Sequence, residues 1–186
     1  MYQKIIEYAE ALDKISRERR RDFHRYPETA WLEMRTSAVI AKVLTELGYE
    51  VLTGKDVCLE SSRLGVPSSE ELKEHAERAL LQGAPAEYLT EEMRAGFTGV
   101  IGILRCGEGP VTALRFDIDA LGLTEDENVN HRPFAEGFAS RNPGMMHGCG
   151  HDGHAAIGLG VAEVLMKIKD GLHGTVKLIF QPGEEG

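Results

Sequence analysis

The chain has 186 residues, 42% of them hydrophobic and 27% charged, which suits one globular unit with a sizeable core. Lys plus Arg is 21 against 30 Asp plus Glu, a net charge of -9, and so acidic a chain repels phosphate backbones and is not expected to bind nucleic acid. Cys58, Cys106 and Cys149 make no disulfide framework, and the opening Met1-Tyr2-Gln3-Lys4-Ile5-Ile6-Glu7 is neither a signal peptide nor a membrane span, so a cytoplasmic location with no membrane contact is expected.

In chain order, residues 1 to about 23 read as one amphipathic helix, with Ile5, Ala9, Leu12 and Ile15 in register and a break at Tyr26-Pro27-Glu28. Its basic run, Arg17, Arg19, Arg20 and Arg21, alternates with Glu18 and Asp22 and reads as a solvated face. A second helix is expected over about 36 to 47, with Ile40, Val43, Leu44 and Leu47 as its apolar stripe and Gly48 as its C-cap, followed by a short strand over 49 to 52. Residues 54 to 97 are less regular and hold a helix near 69 to 82. The β-branched runs 98–105 and 111–117, joined by Gly107-Glu108-Gly109-Pro110, predict a hairpin. Residues 120 to 144 read as a loop. A helix is then expected over 153 to 169, capped by Asp152 and burying Ile157, Val161, Val164, Leu165 and Ile168, before a buried strand over 175 to 180. Helices and strands alternate, so the class is α/β, a mixed sheet packed between helices.

Three stretches carry chemistry. Met146-His147-Gly148-Cys149-Gly150-His151-Asp152-Gly153-His154 places a thiol, three imidazoles and a carboxylate between glycines that let backbone wrap a small object. Cys149 and His151, two apart, can point the same way; thiolate and imidazole suit Zn²⁺, imidazole with carboxylate also Mn²⁺. His147 and His154 can serve either as ligands or as donors to ligands. Gln181-Pro182-Gly183-Glu184-Glu185-Gly186 leaves the end of a buried strand, where sites of open α/β sheets collect. One of two adjacent glutamates can face a metal while the other faces a water, the division of labour a hydrolase needs. Arg115-Phe116-Asp117-Ile118-Asp119-Ala120-Leu121 also ends a strand, and Asp117 and Asp119 share a face from which a carboxylate can orient a metal-bound side chain.

Together these stretches resemble the di-metal aminoacylase/carboxypeptidase family, in the amidohydrolase branch that includes hippurate hydrolases and indole-acetyl-amino-acid hydrolases. The matching segments are RRDFHRYPE, RFDIDAL, MMHGCGHDGHAAIGLG and LIFQPGEEG, in the family's order. ESSRLGVP, the segment from about 70 to 97, GFTGV and HRPFAEGFASRNPGMMH look like the p-aminobenzoyl-glutamate hydrolase subfamily, and the likeness spans nearly the whole chain. The resemblance implies two divalent ions, Mn²⁺ or Zn²⁺, with Cys149, His151 and Glu185 as ligands, Glu184 as general base and Asp119 as a supporting aspartate. It implies a small-molecule N-acyl amino acid as substrate, with the amide of p-aminobenzoyl-glutamate, a folate breakdown product, as the bond cut. It implies a dimer or a partner subunit in the complete protein. Two departures stand out: Gly122 sits where the branch usually has proline, and the family's two further histidine ligands and inserted dimerisation domain lie downstream of its Glu-Glu pair. Residues 1–186 are therefore expected to be the N-terminal part of a zinc-peptidase-like catalytic domain, incomplete as a catalyst. The alternatives are a hydrolase of another N-acyl amino acid, such as hippurate, and a non-catalytic chain that binds a metal or a partner.

Overall fold

The computed structural model describes residues 2–186. Helices α1 (Tyr2–Ala11), α2 (Asp13–Arg25) and α3 (Met34–Leu47) lead into strand β1 (Glu50–Thr53); α4 (Ser69–Leu81) and α5 (Glu91–Arg94) precede β2 (Val100–Arg105) and β3 (Val111–Asp117); α6 (Arg132–Ala135) and α7 (His151–Lys167) precede β4 (Thr175–Gln181). The strands form one sheet in the order β1-β2-β4-β3. β1 and β4 each run antiparallel to β2, and β3 runs parallel to β4. The α/β class with a mixed sheet is as expected, but the hairpin is not: β4 inserts between β2 and β3, pairing Leu178 with Gly102 on one side and Leu114 on the other. The glycine-rich turn at 107–110 therefore links two strands that are not neighbours. α7 supplies the crossover that a parallel pair requires.

α3 and α7 cover the same face of the sheet. Gly102 lies under Leu44 of α3, and Gly158 of α7 lies on Phe180 and Phe116, where an added Cβ would come within 2.7 Å of a ring atom. That close approach explains which side of α7 is buried. Ala155, Ala156, Gly158, Leu159 and Ala162 face the sheet, while Ile157, expected inside, is 59% exposed. The expected stripe of Ile157, Val161, Val164, Leu165 and Ile168 lies on the opposite flank, where with Ile5, Ala9 and Leu12 it lines a groove of about 390 Å³. Small residues sit inward because a helix must approach an aromatic-lined sheet closely; the branched ones are left for α1.

The N-terminal helix is broken in two. Leu12 bonds back to the carbonyl of Ala9, an i to i−3 bond that tightens the chain for one residue, and Ile15 is left exposed. α7 begins two residues earlier than expected, at His151, with left-handed Gly150 as N-cap, so Asp152 sits inside the first turn. Gly48 caps α3 in the left-handed region, as the sequence predicts, and Ser68 caps α4 through the Glu71 N–H. Between α2 and α3, residues 26–33 run beneath the sheet's end. Thr29 bridges to Ala120, and the fully buried Glu28 accepts the N–H groups of Arg35 and Thr36, both at 2.9 Å, closing the start of α3. No helix among the described residues is long and apolar enough to cross a membrane.

Candidate metal centre

Three segments meet beyond the ends of β3 and β4. β3 delivers Asp117 and then Asp119; the loop into α7 delivers Cys149 and His151; the turn after β4 delivers Glu184 and Glu185. The thiol of Cys149, a ring nitrogen of His151 and a carboxylate oxygen of Glu185 lie within 4.8 Å of one another. Residues far apart in sequence are thus brought to one point by the parallel β3–β4 pair and its crossover helix.

Asp119 ties this point together. Nδ1 of His151 stands 3.0 Å from the backbone oxygen of Asp119 and 3.2 Å from its Oδ1. Nδ1–H is the donor to both, which leaves Nε2 bare for an ion. The other carboxylate oxygen, Oδ2, accepts the Glu185 N–H at 2.8 Å. Asp119 and His151 are both buried, so these bonds are shielded from water. Glu184 stands apart from the cluster: its half-exposed carboxylate lies 3.9 Å from the Arg115 guanidinium, which also pairs with Asp117 at 2.7 Å.

A second group shares His151. Asp117, His151 and His154 also bring donor atoms within 4.8 Å; His154 stacks on His151 with centroids 5.1 Å apart, and its Nδ1 is 3.6 Å from Asp117. Since Asp119 occupies Nδ1 of His151, the remaining nitrogen can serve one of the two groups at a time. His147 joins neither. It is buried with both ring nitrogens unpartnered among the described residues, and burial pushes its pKa down to about 4, so the ring is neutral.

The donor set fits a divalent cation. Thiolate, imidazole and carboxylate together suit Zn²⁺ or a similar borderline ion. The electrostatics point the same way: a hydrogen bond to Glu185, followed by desolvation and the charges of Glu185, Glu184 and Asp119, holds the Cys149 thiol above its ordinary pKa. That excess of negative charge is what a bound cation would relieve, and it would release the thiol proton as it did so.

Sequence reasoning missed a buried network behind the centre. His24 of α2 is held by Asp152 through Nδ1 at 2.9 Å and by Glu125 through Nε2 at 2.8 Å. Burial alone lowers the His24 pKa, but the two carboxylates outweigh it and raise it overall. Glu33, fully buried, was missed as well; the available signal was a pair of glutamates, Glu28 and Glu33, flanking the apolar run Ala30-Trp31-Leu32.

Residues 113–186 match the sequence model of Peptidase family M20/M25/M40. The chain is 52% identical over 168 residues to one subunit of the p-aminobenzoyl-glutamate hydrolase of Escherichia coli, and equally to indole-3-acetyl-aspartic acid hydrolase of Enterobacter agglomerans, with 90% of this chain and 38% of each relative covered. It thus spans well under half the length of these curated relatives. An aminobenzoyl-glutamate utilization protein from Klebsiella pneumoniae superposes with a TM-score of 0.78 at 38% identity, covering 97% of this chain and 39% of that one. A dinuclear metal-binding M20 peptidase from Bacillus subtilis superposes with a TM-score of 0.63 at 33% identity, over 95% of this chain and 36% of its own. With both sequence and fold aligned to these proteins along nearly its whole length, the chain belongs to peptidase family M20/M25/M40.

Proposed function

We propose that this chain forms part of the catalytic domain of a metal-dependent amidohydrolase that cleaves an aromatic N-acyl group from an acidic amino acid. The observation that carries the reading is the convergence of Cys149, His151 and Glu185, with Glu184 beside them and outside the cluster. The two relatives at 52% identity are named for p-aminobenzoyl-glutamate and for indole-3-acetyl-aspartic acid. Both are amides of an aryl-bearing acid with an acidic amino acid, and that shared chemistry defines the substrate class.

Cys149, His151 and Glu185 would hold Mn²⁺ or Zn²⁺. A bound ion supplies Lewis acidity to the amide carbonyl and lowers the pKa of an attacking water. Asp119 keeps His151 in the tautomer that presents Nε2. Glu184 takes the water's proton as it attacks the amide carbon and returns it to the leaving amine nitrogen, a role worth on the order of a hundred- to ten-thousand-fold in rate. The arrangement needs no serine or cysteine nucleophile, since Cys149 points at Glu185 within the cluster. A second ion would draw on donors beyond the three that converge, in keeping with the dinuclear description of the Bacillus subtilis relative. The Escherichia coli relative is by name one of the subunits of its hydrolase, which supports a partner subunit here too. A small-molecule substrate suits a cytoplasmic setting in which folate fragments are broken down.

The test is a panel of p-aminobenzoyl-glutamate, indole-3-acetyl-aspartate and hippurate on the complete enzyme that contains this chain, loaded with Mn²⁺ or Zn²⁺. Turnover of the first two above hippurate is expected. No hydrolysis of any of the three would overturn the reading.

A further inference from the structure

The turn that carries Glu184 and Glu185 is gripped from below by two buried carboxylates. Asp119 holds the Glu185 N–H, as described. On the other side Oε1 of Glu33 accepts the Gly183 N–H at 2.8 Å, and Oε2 accepts the Thr98 hydroxyl at 2.6 Å. Glu33 and Asp119 are 0% and 1% exposed, so Glu184 is suspended between two anchor points that water does not reach. Thr98 is itself buried, and its backbone oxygen takes the Ser37 hydroxyl from α3. The sheet end, the start of α3 and the turn after β4 are thereby joined through one carboxyl group.

The floor beneath the turn is shaped to the same end. Trp31 has φ +64°, a left-handed conformation that a bulky residue adopts only when its surroundings enforce it. Its indole Nε1–H donates to the Leu64 carbonyl at 2.6 Å, and its ring lies so close to Gly183 that a Cβ there would stand 3.0 Å from ring atoms. Gly183, itself at φ +61°, is therefore seated on the indole and bonded to Glu33 at once. Trp31, two residues before Glu33, fixes the height of the turn, and Glu33 fixes its direction.

We infer that Glu33 is a positioning residue for this site: its carboxyl group holds the Gly183 N–H so that Glu184 and Glu185 keep their separate places beside Cys149 and His151. It touches neither substrate nor ion. The inference rests on the amidohydrolase reading above and adds to it. Burial raises the Glu33 pKa to about 8, so at neutral pH the group is chiefly the uncharged acid, able to lie near Asp119 without repelling it. A neutral amide of the same shape can therefore replace it.

The experiment compares Glu33→Gln, Glu33→Ala and Thr98→Val in the complete enzyme. It reads Mn²⁺ and Zn²⁺ affinity by competition with a chelator, kcat and KM on p-aminobenzoyl-glutamate, and folding by circular dichroism. Glu33→Gln should stay within about threefold of wild type in every reading, because the amide oxygen still accepts the Gly183 N–H. Glu33→Ala should weaken metal affinity and kcat by about 10- to 100-fold with KM little changed, the range seen when a partner behind a ligand is removed. Thr98→Val should move the same quantities in the same direction by less. Should Glu33→Ala fail to fold, the pair Glu33→Gln and Thr98→Val decides: a near-normal amide with an impaired valine variant upholds the inference, and two unaffected variants overturn it. A folded Glu33→Ala enzyme with unchanged affinity and kcat also overturns it. A wild-type enzyme that binds no ion overturns the amidohydrolase reading instead, so the two failures are distinguishable.

Discussion

Glu184 and Glu185 are adjacent yet live in different surroundings. Glu185 lies with Cys149 and His151, its N–H fixed on Asp119; Glu184 faces Arg115 across 3.9 Å. Their replacements should therefore fail differently. Glu185→Ala should lower metal affinity by at least about tenfold, since removing even an outer partner of a ligand costs about that much. Glu184→Ala should keep the metal and lose turnover by a factor of roughly a hundred to ten thousand, the usual worth of a positioned base. Metal analysis and single-turnover rates on both variants decide the matter, and equal metal loss in the two would remove the distinction. At this scale the sequence was informative because the chemistry is written in rare residues: a cysteine and three histidines among glycines are conspicuous. Glu33 and His24 were not, because a buried carboxyl or imidazole announces itself only by its neighbours, which come from segments that the sequence does not align.

Among the elements, α2, α7 and the loop near residue 125 are pinned together by His24. Its pKa is raised in the folded state, so the stability it contributes is fully present below the ordinary imidazole value near 6.5 and is lost as the pH rises through the raised value. His24→Gln should flatten the decline of the urea midpoint as the pH rises above the ordinary imidazole value of about 6.5. At pH 6 it should also destabilise by about 3 kcal/mol, because Asp152 and Glu125 lose a buried partner. An unchanged slope would show that His24 does not govern the pH dependence there. α7 offers a second test. Gly158→Ala gains about 0.5–1 kcal/mol of helix propensity, yet its methyl would meet Phe180 at 2.7 Å. Overpacking of that kind costs about 1–3 kcal/mol, so the variant should be the less stable one by chemical denaturation; a gain in stability would mean that the rings yield. The same helix shows where sequence reading stops. Its branched residues mark an apolar stripe, but the face chosen for the sheet is the Ala/Gly one, because fit to Phe116 and Phe180 outweighs hydrophobicity per residue. The hairpin expected from β2 and β3 failed for a related reason: turn chemistry is local, and the insertion of β4 is not.

For the whole molecule, the two donor groups compete for one nitrogen of His151 while Asp119 holds the other. The 186-residue chain should therefore take up one ion, not two, and mass spectrometry under non-denaturing conditions should show a single occupancy. Iodoacetamide should then spare Cys149 in the loaded chain and label it after chelation, with half-buried Cys58 and Cys106 as internal references. Two tightly held ions would contradict the count. The strand order carries a further consequence, for the way the chain folds. β4 is synthesised after β2 and β3 and yet lies between them. Until it arrives, β2 has β1 beside it and β3 has no strand to pair with, so the decisive contacts are of high contact order and come late. Glu185 arrives with that same segment. The Cys149, His151 and Glu185 cluster therefore forms only when β4 inserts: the strand that joins β2 to β3 also carries Glu185 to the other two donors.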